Sequence, residues 1–333
     1  MFKTVTILPE RGHYYKGNLH SHTVNSDGKL TPEESVALFR SQGYSFLCFS
    51  DHDRYSDYRD AFDSDDFIIL PGLEASANLM DPDVPGARLK VHHLHGILGN
   101  SAMQAAASTR FRHLEYLPVP VYEGEWDGLA VAQGVANTLR DHGCLVTYNH
   151  PIWSRVEAED FCDLNGIWAL EIYNYNTVNE SNTGFDTTYW DKILRSGRQI
   201  FAFASDDNHN EGLFDDACGG WIVVKADTLD HDAIIDAMLV GNYYSSSGPA
   251  IYNWGIKDGN TVWVDCSPCE RVNFICGGYI NAGGTVIAAS RDGMKHVEFT
   301  LKGTETYVRL ECVDYAGKTA WSNAHFLERD DAQ

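Results

Sequence analysis

Over roughly its first 240 residues the chain alternates short apolar runs with sharply punctuated helical segments, and this alternation restricts the fold more than any other feature. The segment TPEESVALFRSQG predicts a helix in detail. Thr31 suits the N-cap, Pro32 the first helical position, and Glu34 completes a capping box. Val36, Leu38 and Phe39 supply an apolar face, and Gly43 is a natural C-terminal stop. YSFLCFS, which follows, is almost continuously apolar, as a strand buried on both faces requires. An opening strand over 17–22 precedes this pair, and further strands are predicted over 67–70, 90–98, 144–148, 168–173 and 200–204. Helices are predicted over 102–116, 129–142, 187–195 and 230–240. Seven strands mostly separated by helices imply an α/β fold with a parallel sheet, open or closed into a barrel.

Beyond Gly241 the texture changes. NYYSSSGPAIYNW marks a boundary, and NTVWVDCS, ERVNFICGG, GGTVIAAS, KHVEFTLKG and TYVRLECVDYAG are short alternating runs between turns, the pattern of a small β-sandwich. A length of 333 residues accommodates both units, a first domain over 1–249 and a second over 250–333. Against 25 Lys and Arg stand 47 Asp and Glu, a formal charge of −22. That balance excludes nucleic-acid or anionic-membrane binding through a basic surface. An anionic substrate needs positive charge from another source. No run approaches the ~20 apolar residues of a membrane span, and the N-terminus lacks a signal-peptide pattern. A soluble, cytoplasmic protein is expected. Cys266 and Cys269 form the one C-x-x-C among eight cysteines, with no second such pair to build a zinc ribbon, and read as ordinary reduced thiols.

The chemistry lies where the predicted strands end. The first ends in His20 and His22, with Asp27 close behind in SDG. The second ends in Asp51-His52-Asp53, the third runs into Glu74, and the fourth carries His92, His93 and His95. The fifth ends in His150, and the seventh in Asp206-Asp207-Asn208-His209. In a parallel α/β barrel all strand C-termini open onto one face, so these residues converge. Residues i and i+2 of a strand point the same way, which lets His20 and His22 grip one cation and joins Asp207 to His209. His93 and His95 share a face for the same reason, and spacing does not choose between them. Imidazoles mixed with carboxylates suit zinc, manganese or iron rather than calcium. The donors are numerous enough for two or three divalent ions. His13, His113, His142, His231, His296 and His325 read as ordinary core or surface residues, and Asp51, Asp53 and Asp206 as loop caps or ligand-orienting groups.

GNLHSHTVNSDGKLTPEESVALFRSQGYSFLCFSDHD, followed by GLEAS, HHLHG, NHP and DDNH, resembles the PHP (polymerase and histidinol phosphatase) family over about residues 15–250. The resemblance implies a distorted (β/α)7 TIM-like barrel with a trinuclear metal centre at the strand C-termini. It implies that His20, His22, Glu74 and Asp207 hold a first metal. Glu74 would bridge to a second, held also by His93 or His95 and by His150, and Asp27, His52 and His209 would hold a third. The β-rich C-terminus resembles an appended domain of some PHP hydrolases.

No G-x-S-x-G elbow, phosphate loop or dinucleotide fingerprint offers a competing mechanism. The expectation is therefore a metal-dependent phosphoesterase in which a metal-bound hydroxide attacks a small phosphate ester. Three divalent cations outweigh three carboxylates and a hydroxide by about two positive charges, which matches a phosphate dianion. A carbamate or carboxylic ester hydrolase on the same centre is the alternative, and a non-catalytic metal-binding module a second. Arg88, Lys90 and Arg155 read as solvated charges, while Asp53, His95 and Asp206 are candidates for the general acid. Oligomeric state is not encoded in any visible motif.

Overall fold

The computed structural model describes residues 1–329. The punctuation around Thr31 works as the residues dictate. The Thr31 hydroxyl accepts from the Glu34 N–H at 3.2 Å, and the Glu34 carboxylate accepts from the Thr31 N–H at 2.9 Å. The helix Pro32–Ser41 buries Val36 and Phe39 against Leu47, Phe49, Phe67 and Ile69. Helix Gly128–Asp141, capped by Asp127, likewise buries Ala132, Val135, Ala136 and Leu139. Such amphipathic helices cover the outer faces of the sheets and leave the inner face to the polar residues considered below.

Most strands of the first 250 residues fall in two hydrogen-bonded sheets rather than one continuous ladder. In the first, Phe201–Ser205, Ala169–Asn174 and Cys144–Tyr148 run parallel, and Arg88–Leu98 pairs antiparallel with both Cys144–Tyr148 and Gly72–Met80. In the second, Ile68–Leu70, Phe46–Cys48 and His13–Asn18 run parallel and continue antiparallel into Trp221–Ala226 and Tyr243–Ser246. Isolated bridges from Ser21 to Asn208 and from His52 to Glu74 span the gaps between them. An all-parallel sheet is thus corrected at Arg88–Leu98. The segment DPDVPGA turns the chain back on itself and forms a hairpin with Gly72–Met80, where a helical crossover would have kept the strands parallel. Glu74 and the three histidines of HHLHG consequently lie within strands, not at their ends.

The expected helix over 102–116 stops at Ala106. The Ser108 and Thr109 N–H groups donate to the Asp141 carbonyl, and Phe111 stacks on His142 with centroids 3.8 Å apart, so local helical bonding loses to tertiary packing. Beyond residue 250 the expected β-runs all form strands. Ile251–Lys257, Thr261–Cys269 and Met294–Thr300 make one sheet. Gly284–Ile287, Arg271–Cys276, Tyr307–Val313 and Thr319–Ser322 extend the second sheet of the N-terminal region, and the two layers enclose a common apolar core. Val5–Thr6 also joins the first of these layers by pairing with Gly255 and Ile256, so the chain's start packs with its C-terminal part. No helix among the described residues is long and apolar enough to cross a membrane.

Candidate metal centre

His20 and His22 lie just past the hydrogen-bonded end of His13–Asn18, in a segment held by the Ser21–Asn208 bridge. Their Nε2 atoms stand 3.1 Å apart, and both lie 2.9 Å from Asp207 Oδ1. Glu74 Oε1 is 3.2 Å from His20 Nε2, and Glu74 Oε2 is 3.5 Å from His22 Nε2. Donors bound at 2.0–2.2 Å around one cation sit about 3.0–3.4 Å from each other, so these spacings are those of a ligand cage. On the far side of Glu74, its Oε2 is 3.4 Å from His93 Nδ1 and 3.1 Å from His52 Nδ1, while His150 Nε2 is 3.3 Å from Oε1. Asp27 gathers His52 Nε2 at 3.5 Å, His209 Nε2 at 3.4 Å and His22 Nδ1 at 3.8 Å. The residue groups His20–His22–Glu74–Asp207, His52–Glu74–His93 and His22–Asp27–His52–His209 each bring their ligand atoms within 4.8 Å of one another.

All ten residues proposed from the sequence therefore meet, but not equally. His93 faces the cleft and lies 3.4 Å from His150 Nε2, whereas His95 is wholly buried behind Glu74, 3.9 Å from its nearer oxygen and edge-on to His20. His92 points to the other face, bonded to the Tyr148 hydroxyl and stacked on Trp126. Asp51 ties the loop before Asp27 by accepting from Thr23 and Ser26. Asp206 accepts three backbone N–H groups from Cys218, Gly219 and Gly220 and stays off the cleft.

The fit of these residues to cations is visible in what they lack. His22 Nδ1, His52 Nδ1, Glu74 Oε2 and Asp207 Oδ1 are buried without a hydrogen-bond partner, although charged neighbours stand close by. Orphaned buried polar atoms are costly, and lone pairs aimed at shared points make sense once cations occupy them. Three other rings of the cluster are anchored through Nδ1. His20 Nδ1 donates to Glu171 at 2.8 Å, His150 Nδ1 meets the Ser154 hydroxyl at 3.1 Å, and His209 Nδ1 donates to the Asp207 carbonyl at 2.9 Å. Donation from Nδ1 makes Nε2 the nitrogen that ligates once its proton has left. Glu171 itself lacked any sequence signal: a single acid inside the apolar strand Ala169–Asn174, it also accepts from the Ser205 hydroxyl, the His150 N–H and Asn174.

Charge is tightly balanced in the cluster. Burial works against ionised Glu74 and Asp207, yet the surrounding imidazoles hold both carboxyls well below their ordinary range. Burial also opposes charge on His150 and His209, but Glu74, Glu171 and Asp207 outweigh it at His150, and Asp27 and Asp207 at His209, lifting each to about 9. His22 is pushed down to about 4 by burial and by His209 and His52. Burial raises Asp53 to about 6.

The backbone is strained where the donors are placed. Asp53, His150 and Asp207 have φ of 53°, 25° and 57°, a conformation that costs side-chain-bearing residues of order 1–3 kcal/mol. Each is pinned to the site: Asp53 N–H to the Glu74 carbonyl, Asp207 N–H to the His20 carbonyl, and His150 N–H to Glu171. Gly28 of the SDG turn has no room for a side chain, since a Cβ there would lie 2.4 Å from the His22 carbonyl oxygen.

The cluster floors a cleft of about 400 Å³. Trp153 walls one side, beside His93 and His150, with its indole N–H donating to Glu180 at 2.7 Å. Arg88 is the one Lys or Arg on the lining among the described residues, against the further carboxylates Asp53, Glu180, Glu211 and Asp216. Lys90 pairs with Asp160 at 2.6 Å, and Arg155 is exposed off the cleft.

Searches of protein-family models and of curated proteins returned no match. Among solved structures, a two-domain protein from Bacteroides vulgatus described as containing a predicted PHP-like metal-dependent phosphoesterase aligns with a TM-score of 0.43 and 11% identity, over 96% of this chain and 97% of that one. A candidate metal-dependent phosphoesterase from Bifidobacterium adolescentis aligns with a TM-score of 0.42 and 16% identity, over 70% of this chain and 98% of its own.

Proposed function

We propose that this chain is a metal-dependent hydrolase of PHP type, acting on a small phosphate ester at a centre of two or three divalent ions, zinc, manganese or iron. A distorted seven-stranded barrel over 1–249, with an accessory β-domain over 250–333, is the architecture that accompanies this reading. The observation that carries it is the cage around Glu74, where donors from far-apart stretches of chain meet at ligand–ligand spacings with buried atoms lacking hydrogen bonds. His20, His22, Glu74 and Asp207 would hold one ion, Glu74, His93 and His150 a second, and Asp27, His52 and His209 a third. His93 is favoured over His95 because it faces the cleft.

Bound there, such ions supply Lewis acidity and a nucleophilic water at neutral pH. The protein's own groups do the rest. Glu171, Ser154 and the Asp207 carbonyl fix the ring nitrogens of His20, His150 and His209, and Trp153 excludes water from one flank. Arg88 stands where it can pair with an anionic group. Of Asp53, His95 and Asp206, only Asp53 lines the cleft, and it is the residue assigned to protonate the leaving oxygen.

The acidic rim favours one rival specifically. Four carboxylates beyond the cage, against one guanidinium, repel a dianion and tolerate a neutral carbamate or carboxylic ester. Element analysis of the purified chain, read with hydrolysis of aryl phosphates, phosphodiesters, carboxylic esters and carbamates, decides between them. Bound metal with turnover of phosphate esters is expected. Turnover of neutral esters alone would overturn the phosphate assignment, and a metal-loaded chain inert to every class would overturn the hydrolase.

A further inference from the structure

A second group of metal-type residues lies outside the cleft, in the apolar core between the C-terminal sheets. The sulfur atoms of Cys266, Cys269 and Cys312 all stand within 4.8 Å of one another, and each of the three residues is buried. A trigonal cation with metal–sulfur bonds of about 2.3 Å needs sulfurs about 4.0 Å apart, so only a small contraction separates this arrangement from a binding site.

The strand Thr261–Cys269 is built in an unusual way to achieve it. Val262, Val264 and Cys266 face the core by simple alternation, which would turn position 268 inward and Cys269 outward. The ladder to Met294–Thr300 instead shifts register between Asp265 and Cys269, and the shift brings Cys269 to the same side as Cys266. Cys312 arrives from Tyr307–Val313, in the opposing layer. Filling a core with apolar volume requires no such irregularity. Among the described residues, no imidazole nitrogen or carboxylate oxygen joins the three sulfurs in this cluster.

We propose that Cys266, Cys269 and Cys312 form an all-sulfur site for one soft monovalent cation of the copper(I) class, separate from the histidine-rich centre. Three sulfurs, with no imidazole or carboxylate grouped with them among the described residues, match the low coordination number of such an ion, whereas structural zinc takes four ligands. The buried position suits a structural ion that ties the two sheet layers together.

The test is anaerobic titration of the full chain with copper(I), both as purified and after refolding with the ion present. The readout is the near-ultraviolet thiolate-to-copper charge-transfer band, which imidazole ligands do not produce. The band should rise to a break at one equivalent and be lost in Cys269→Ala and Cys312→Ala, which keep the core apolar. It should survive in Cys144→Ser and in His20→Ala/His22→Ala. A melting temperature that climbs with copper(I) in the parent chain, but not in Cys312→Ala, is expected as well. No band in a chain with its far-ultraviolet spectrum intact would overturn the proposal. So would a band that persists in Cys312→Ala, or a disulfide between any two of these cysteines in the purified chain.

Discussion

Glu171→Gln is the most informative single change at the histidine-rich centre, because it alters no volume and touches none of the proposed cations. Glu171 Oε1 accepts from His20 Nδ1 and the Ser205 hydroxyl, and Oε2 from the His150 N–H and Asn174. A glutamine must place its NH2 group on one of these sides. The His150 backbone N–H cannot become an acceptor, while the Ser205 hydroxyl and the His20 ring both can. The amide therefore turns toward His20, and the ring answers by moving its proton from Nδ1 to Nε2. That nitrogen, 2.9 Å from Asp207 Oδ1, then presents a proton to the site instead of a lone pair. Loss of a group that orients a metal ligand costs about 10–100-fold in affinity, which is about 1.4–2.8 kcal/mol. Removing the carboxylate also weakens proton binding at His20, but a divalent cation loses about twice the Coulomb energy a single proton loses, so the net change remains a loss. Competition with a chromophoric chelator measures the affinity, and 15N-resolved imidazole NMR reads the tautomer. An affinity within about threefold of the parent, with His20 still protonated on Nδ1, would refute the reasoning.

The double change His20→Ala/His22→Ala should abolish metal retention and hydrolysis while leaving the near-ultraviolet signal of the C-terminal core; full activity in that variant would contradict the site. Metal uptake should strengthen from neutral pH and level off above about 9, because His150 and His209 hold protons up to that value in the metal-free chain and must release them to bind. Chelator competition across pH checks this, and a flat profile would count against imidazole ligation. Arg88→Ala should raise KM for a phosphate ester roughly two- to fivefold with little change in kcat, as an accessible ion pair worth ~0.5–1 kcal/mol implies; steady-state kinetics at two ionic strengths test it.

Much of the centre was legible in the sequence because metal ligation demands particular side chains and strand spacing dictates how they pair. H-x-H, D-H-D and D-D-N-H announce themselves, and so does the helix opened by Thr31, Pro32 and Glu34. What escaped was whatever depends on pairing across distance. Glu171 resembles any isolated acid in an apolar strand until Ser205, Asn174, His150 and His20 are brought around it. The hairpin joining Gly72–Met80 to Arg88–Leu98 hid because both strands are buried over most of their length, and a run buried on both faces has no alternation to tell antiparallel from parallel pairing. Val5–Thr6 is too short to register as a strand until Gly255 and Ile256 pair with it. Cys312 stands 43 positions beyond Cys269, and only the packing of two sheet layers relates it to the C-x-x-C.

Anomalous diffraction from crystals grown with manganese or zinc tests the central claim most directly. Peaks should appear between His20, His22, Glu74 and Asp207, between Glu74, His93 and His150, and, where a third ion binds, among Asp27, His52 and His209. An ordered crystal with metal in solution and no anomalous density within ligand distance of Glu74 would contradict the account.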